Sequence, residues 1–166
     1  MSEMEYTQAG WTAAVVLAAG RGKRMKSSVQ KQFLELCGRP LITYALQQFE
    51  ESGVDQVVLV TGKEDLDYCR EHIVKEFGFH KVTAVVAGGK ERYHSVYEGL
   101  KALAGQGISH VLIHDGARPL LTGRIIRDAL PEETASGRSR PPRPFPIPGL
   151  WARMKSCFPG KSIRQE

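Results

Sequence analysis

Ala13-Ala14-Val15-Val16-Leu17-Ala18-Ala19-Gly20-Arg21-Gly22-Lys23-Arg24-Met25 opens as an unbroken apolar run and closes as a basic, glycine-containing loop. An apolar run of this length, ended near Gly20, reads as a strand buried on both faces. The residues after the strand suit a ligand. Small residues at Ala18 and Ala19 let a main chain approach another molecule closely, and Gly20 and Gly22 permit the turn. Successive backbone N–H groups can then cradle phosphate oxygens, with Lys23, Arg24, Lys26 and Lys31 supplying positive charge. A Walker loop would need GxxxxGK followed by Ser or Thr, which the chain lacks. A dinucleotide fingerprint would need glycine where Met25 stands. A solvated basic turn is the plain alternative for the loop taken alone.

Outward from this stretch, short apolar runs alternate with longer amphipathic ones as far as residue 130. Residues 41–51 place Ile42, Ala45, Leu46 and Phe49 at helical spacing, with Gly53 as a stop. Residues 57–61 and 82–86 are β-branched strand candidates, and residues 111–113 a fourth, ended by Asp115-Gly116. Between them, residues 64–77 carry Leu66, Cys69, Ile73 and Phe77, and residues 91–103 carry Val96, Leu100 and Leu103, all at helical spacing. A further helix is expected over residues 123–130. Strands separated by helices cannot pair as hairpins; they need crossovers and a mostly parallel sheet. Right-handed crossovers put helices on both faces, so the expected fold is a Rossmann-like, three-layer α/β/α sandwich. Ligands of such sheets bind beyond the carboxyl ends of the strands, where both the basic loop and Asp115 fall.

From about Pro131 the character changes. Seven of the nine prolines lie in residues 131–166, and the segment RPPRPFPIP over residues 140–148 has neither helical nor strand period. Proline at this density blocks both hydrogen-bond ladders and favours extended structure. The expected organisation is an N-terminal extension over residues 1–11, an α/β domain over 12–130, and a disordered Pro/Arg-rich tail over 131–166. That tail holds seven Lys/Arg against three acids, which is +4 of the net +5. The body is thus nearly neutral, and no nucleic-acid partner is expected. No apolar run approaches the roughly 20 residues that span a bilayer. The N-terminus is polar, so a cytoplasmic location is expected. Cys37, Cys69 and Cys157 are too scattered for a disulfide framework or zinc site, and the five histidines lack ligand spacing.

Two further segments could bear chemistry. In Ile113-His114-Asp115-Gly116-Ala117-Arg118-Pro119 the aspartate is placed to hold Mg²⁺, a hard cation that takes one or two carboxylates plus phosphate oxygens. Asp-Gly is equally an ordinary turn. In Ala87-Gly88-Gly89-Lys90-Glu91-Arg92-Tyr93-His94-Ser95-Val96, paired glycines lead into a helix, suiting close contact with a base or phosphate, or a plain helix entry.

Together and in this order, these segments resemble the 2-C-methyl-D-erythritol 4-phosphate cytidylyltransferases of the non-mevalonate isoprenoid pathway. The matching pieces are the LAAGxGxRM loop, Lys31-Gln32, the GRPLITYAL stretch from Gly38, GGxxRxxSV over residues 88–96, and HDGARP over residues 114–119. Ribitol-5-phosphate cytidylyltransferases share the set. The resemblance covers about residues 12–130 and implies transfer of CMP from CTP to a sugar-alcohol phosphate, with release of pyrophosphate. It implies that Ala18, Ala19, Gly20 and Gly22 line the triphosphate and that Arg24 and Lys31 act on the α-phosphate. It implies further that Gly89 and Ser95 contact the cytosine or its ribose, that Asp115 holds Mg²⁺, and that Arg118 supports the nucleotide site.

This chain departs from the family pattern in three places. The family commonly has proline before the Lys-Gln pair, where this chain has Gln30, and Lys90 stands where an acidic or small residue is common. The later PVKDT-like and TPQ motifs, the dimerising arm and the basic residues that grip the acceptor have no match after about Glu133. The expectation is a sheet incomplete at its C-terminal end through truncation or a reading-frame change, with a true variant carrying a different C-terminus as the alternative. With it comes marginal stability, and neither the family's homodimer nor its acceptor contacts carry over. A non-catalytic CTP-binding fragment is the alternative function.

Overall fold

The computed structural model describes residues 11–20 and 29–130. Both the tail over 131–166 and the loop positions Gly22 and Arg24 lie outside the described residues. Four strands, β1 (Trp11–Ala18), β4 (Gln56–Thr61), β5 (Val82–Ala87) and β6 (Ile108–Asp115), form one parallel sheet in the order β5-β4-β1-β6. Two-residue strands β2 (Glu35–Leu36) and β3 (Arg39–Pro40) form a separate antiparallel ribbon.

Alternation along the central strands divides the core in two, as period-2 side-chain geometry requires. Ala14, Val16 and Ala18 of β1, with Val57 and Leu59 of β4, face one way. They meet Ile42, Leu46 and Phe49 of α1 (Leu41–Glu50), Cys69 and Ile73 in the continuation of α2 (Leu66–Tyr68), and Ile126 of α4 (Gly123–Ala129). Ala13, Val15, Leu17, Val58 and Val60 face the other way, against Val96 and Leu100 of α3 (Arg92–Ala102) and the adjoining Leu103. The result is the three-layer sandwich expected. Burial of these aliphatics, each about 1.5–3 kcal/mol relative to exposure, is the main force holding the layers.

Gly99 sets the spacing between α3 and the sheet. A Cβ there would stand 2.5 Å from Val15 Cγ1 and 3.0 Å from Val60 Cγ2, so only glycine allows this approach.

After Tyr68 the α2 helix continues with π geometry over Cys69–Lys75. Its apolar residues Cys69, Ile73 and Phe77 recur every four positions.

The fourth strand corrects the sequence reading. It runs from Ile108 to Asp115 rather than over 111–113, so Asp115 is the last residue of β6 and does not lie past it. Pairing with β1 continues to the Leu17–Asp115 register, which extends the ladder. β6 is also an edge strand, half-buried along most of its length, with no strand on its outer side among the described residues. Beyond it, α4 buries Ile126 and leaves Ile125 exposed, and Leu120 in the preceding loop is exposed as well.

Candidate functional site

Chain order and strand order together create the crevice. From β1 the chain steps outward to β4 and β5, then returns to place β6 on the other side of β1. Ligands of doubly wound sheets bind at such a reversal, beyond the carboxyl ends of the strands. Here those ends are level. Leu17 pairs with Asp115, Ala18 with Thr61, and Thr61 with Ala87. The ladder extends one step further, Gly88 N–H donating to Thr61 O at 2.8 Å and Gly116 N–H to Leu17 O at 2.8 Å.

Two of the sequence-predicted segments touch at this edge. A Cβ on Gly88 would stand 2.6 Å from Ala19 Cβ and 2.5 Å from Ser95 Oγ, so the end of β1 and the start of α3 are in contact through a glycine. Ser95 is buried; its Oγ accepts from Gly89 N–H at 3.3 Å and donates to Glu91 O at 3.4 Å. Gly89 packs against His94, whose Nδ1 is buried and has no hydrogen-bond partner among the described residues. Ala18, Ala19, Gly20, Gly89 and Ser95 are therefore neighbours on one surface.

Lys31 opens the short 3₁₀ turn Lys31–Phe33 with its side chain exposed. Gln32 beside it is buried and donates from Nε2 to Ala18 O at 2.5 Å, which brings Lys31 next to the start of the basic loop.

At the end of β6, Asp115 is held by two guanidinium groups. Its Oδ1 accepts from Arg92 Nε at 3.2 Å and Nη2 at 3.0 Å, and its Oδ2 pairs with Arg118 Nε at 3.2 Å. Arg92, quoted in the sequence only as part of GGxxRxxSV, thus joins the site as a residue without an assigned role. The available signal was its position three residues before Ser95, on the same face at the start of α3. Arg118 N–H donates to Asp115 O at 3.0 Å, and His114 Nε2 donates to Arg118 O at 3.0 Å. Burial keeps the His114 pKa below its ordinary value, so the imidazole pins this turn in neutral form while packing edge-on against Phe49.

Among the described residues no three His, Cys, Asp or Glu side chains converge. Asp115 alone is too few ligands for a dedicated metal cage. A single carboxylate at the carboxyl end of β6, beside the strand-order reversal, does suit Mg²⁺, which is commonly held by one or two carboxylates with the rest of its shell from phosphate and water. No helix among the described residues is long and apolar enough to cross a membrane.

The family model described as IspD: 2-C-methyl-D-erythritol 4-phosphate cytidylyltransferase matches residues 12–139. The chain belongs to this family. A relative of that name from Clostridium kluyveri is 48% identical over 118 residues, 70% of this chain and 50% of its own length. Another, from Lachnoclostridium phytofermentans, is 48% identical over 119 residues, 72% of this chain and 50% of its own length. The crystal structure of 4-diphosphocytidyl-2C-methyl-D-erythritol synthase from Anaerococcus prevotii superposes with a TM-score of 0.57 at 28% identity, covering 72% of this chain and 49% of that one. The chain spans about half the length of the relatives it matches.

Proposed function

We propose that this chain binds CTP with Mg²⁺ across the carboxyl ends of β5, β4, β1 and β6, as the nucleotide half of a cytidylyltransferase. The observation that carries the reading is the contact of Ala19, Gly88 and Ser95 at one end of a crevice whose other end is Asp115. Backbone N–H groups of residues 18–20, continued by Gly22, would meet the triphosphate, while Gly89 and Ser95 would meet the cytosine or its ribose. Asp115 would hold the Mg²⁺, which supplies charge neutralisation at the phosphate oxygens, and Arg118 would support the same end of the site.

The proposed reaction is in-line attack by a phosphate oxygen of 2-C-methyl-D-erythritol 4-phosphate on the α-phosphorus of CTP. A new P–O bond forms, the α–β bridging bond breaks, and pyrophosphate leaves with the electron pair. Such chemistry depends on positioning and on stabilising charge that grows in the transition state, with little demand for a side-chain base. Arg24 and Lys31 are the cations proposed to do so at the α-phosphate. The setting proposed is cytoplasmic.

The test separates binding from turnover in the full chain. Isothermal titration with CTP, with and without MgCl₂, should show Mg²⁺-dependent binding, and absence of binding would sink the reading. Pyrophosphate release with methylerythritol phosphate identifies the acceptor. Turnover only with ribitol 5-phosphate reassigns it and keeps the chemistry. Binding with neither acceptor turned over identifies a CTP-binding module without transferase activity.

A further inference from the structure

Asp65, Gln30, Gln32 and the first residues of the basic loop form one continuous hydrogen-bonded chain. Asp65 Oδ2 accepts from Gln30 Nε2 at 2.7 Å, and Gln30 Oε1 accepts from Gln32 Nε2 at 2.6 Å. Gln32 Nε2 in turn donates to Ala18 O at 2.5 Å and, more weakly, toward Gly20 O at 3.4 Å. The direction of this chain is fixed at one end. A carboxylate only accepts, so Gln30 must turn its NH₂ to Asp65 and its oxygen to Gln32. That oxygen only accepts, so Gln32 must present its own NH₂, which is the group the loop carbonyls require. Either amide is free in principle to flip by 180°, and the accepting carboxylate oxygen at the end of the chain removes that freedom.

The geometry points to placement as the role. Residues 18–20 enter the basic loop and residues 30–32 leave it, so the network ties both ends of the loop side by side. It anchors them to the turn after β4, where Asp65 N–H donates to Gly62 O at 3.0 Å. Gly62 keeps that turn open for the carboxylate, since a Cβ there would come within 2.6 Å of Asp65 Oδ2. Lys31 lies between the two tied glutamines. Gln32 is 3% exposed, so its carboxamide has little water to turn to if the network is broken. We propose that Asp65, Gln30 and Gln32 are a polarised latch that positions residues 18–20 and Lys31 for nucleotide, an inference that rests on the CTP reading. These three are positioning residues and touch no reacting atom.

The test uses the full chain with Gln30→Ala, Asp65→Ala, Asp65→Asn and the Gln30→Ala/Asp65→Ala double variant. One buried hydrogen bond of this kind is worth ~3–10-fold in affinity, so each alanine variant should weaken CTP·Mg²⁺ binding by about that factor in calorimetry. Residues acting as one chain are non-additive, so the double variant should bind no worse than the weaker single one. Asp65→Asn keeps an acceptor oxygen and should recover part of the loss. Without nucleotide, the Gln32 side-chain carboxamide resonances should move and exchange faster in both alanine variants. Wild-type affinity with an unmoved Gln32 resonance overturns the latch, as does full additivity or a fall in thermal midpoint with affinity unchanged. Should the parent chain bind no CTP, the CTP reading fails while the Gln32 resonance still decides whether the latch exists.

Discussion

Replacing Gly88 by alanine isolates the contact on which the nucleotide reading depends. The added Cβ would lie 2.6 Å from Ala19 Cβ and 2.5 Å from Ser95 Oγ, against an ordinary separation of at least 3.4 Å. The end of β1 and the start of α3 must therefore part by close to an ångström. Ala19 has no rotamer to change, so its main chain moves. Ser95 can turn, but only by giving up the Gly89 N–H that its Oγ accepts. Overpacking of this kind costs ~1–3 kcal/mol, and the lost hydrogen bond about 1 more. Each kcal/mol lowers the midpoint of a domain this size by ~3–5 °C. A displacement near 1 Å in a site built for close backbone contact can cost ~10²-fold in function, so CTP affinity should drop at least tenfold. Calorimetric titration and thermal unfolding measure the two effects. Gly123→Ala is the control, since its Cβ would meet nothing nearer than Gln48 Oε1 at 3.8 Å. Wild-type CTP affinity and midpoint in Gly88→Ala would refute the reasoning.

Asp115→Asn should abolish the Mg²⁺ dependence of CTP binding in titrations with and without the metal. Its pairs with Arg92 and Arg118 are partly exposed, so thermal stability should change by no more than ~1 kcal/mol. Gly99→Ala should destabilise the fold. Helix propensity favours alanine by ~1 kcal/mol, but contact with Val15 and Val60, both fully buried and unable to rotate away, costs ~1–3 kcal/mol, and denaturant titration gives the difference. The pH dependence comes from His114, whose pKa burial lowers from 6.5. The unfolded chain then binds the extra proton, so this contribution is intact above 6.5 and is lost as pH falls from there through the folded value. Midpoints measured between about pH 7.5 and 5 should fall less steeply in His114→Asn. Arg92→Lys should loosen CTP·Mg²⁺ binding in the same titration, because an ammonium cannot reproduce the two-nitrogen contact to Oδ1.

What the chain declares locally was legible, and what depends on strand order was not. Val57, Val58, Leu59 and Val60 are buried on both faces of the sheet, and their unbroken apolar run announced it. β6 hid its length because polar Ser109, His110 and His114 interrupt the run, which an edge strand half in solvent tolerates. The ribbon of β2 and β3 left no periodic trace, since two residues per strand cannot show a period. Its turn is Cys37-Gly38 with φ of +53° and +75°, and cysteine seldom marks such a turn. The small residues of the site stood out because a ligand or neighbour at van der Waals distance excludes larger ones. That logic needs no knowledge of the partner, and it found Ala19, Gly88 and Gly89.

The Arg92–Asp115 pair needed the topology. Twenty-three residues separate the two; Arg92 follows β5 and Asp115 ends β6, strands at opposite edges of the sheet. With β4 and β1 between, the ends of β5 and β6 lie about three strand spacings, ~14 Å, apart. Crossover α3 must pass back over those two strands to reach β6, and this carries the first turn of the helix toward the crevice. A long, forked side chain there can reach Asp115, where a residue of the β5 end itself could not. Arg92 therefore links the glycine turn proposed for the base to the carboxylate proposed for the metal, across the reversal where the triphosphate would lie. Had β6 added beside β5, both residues would still be present and the helix would cross no crevice. Residue types alone carry no record of that difference, because it is written in the order of the strands.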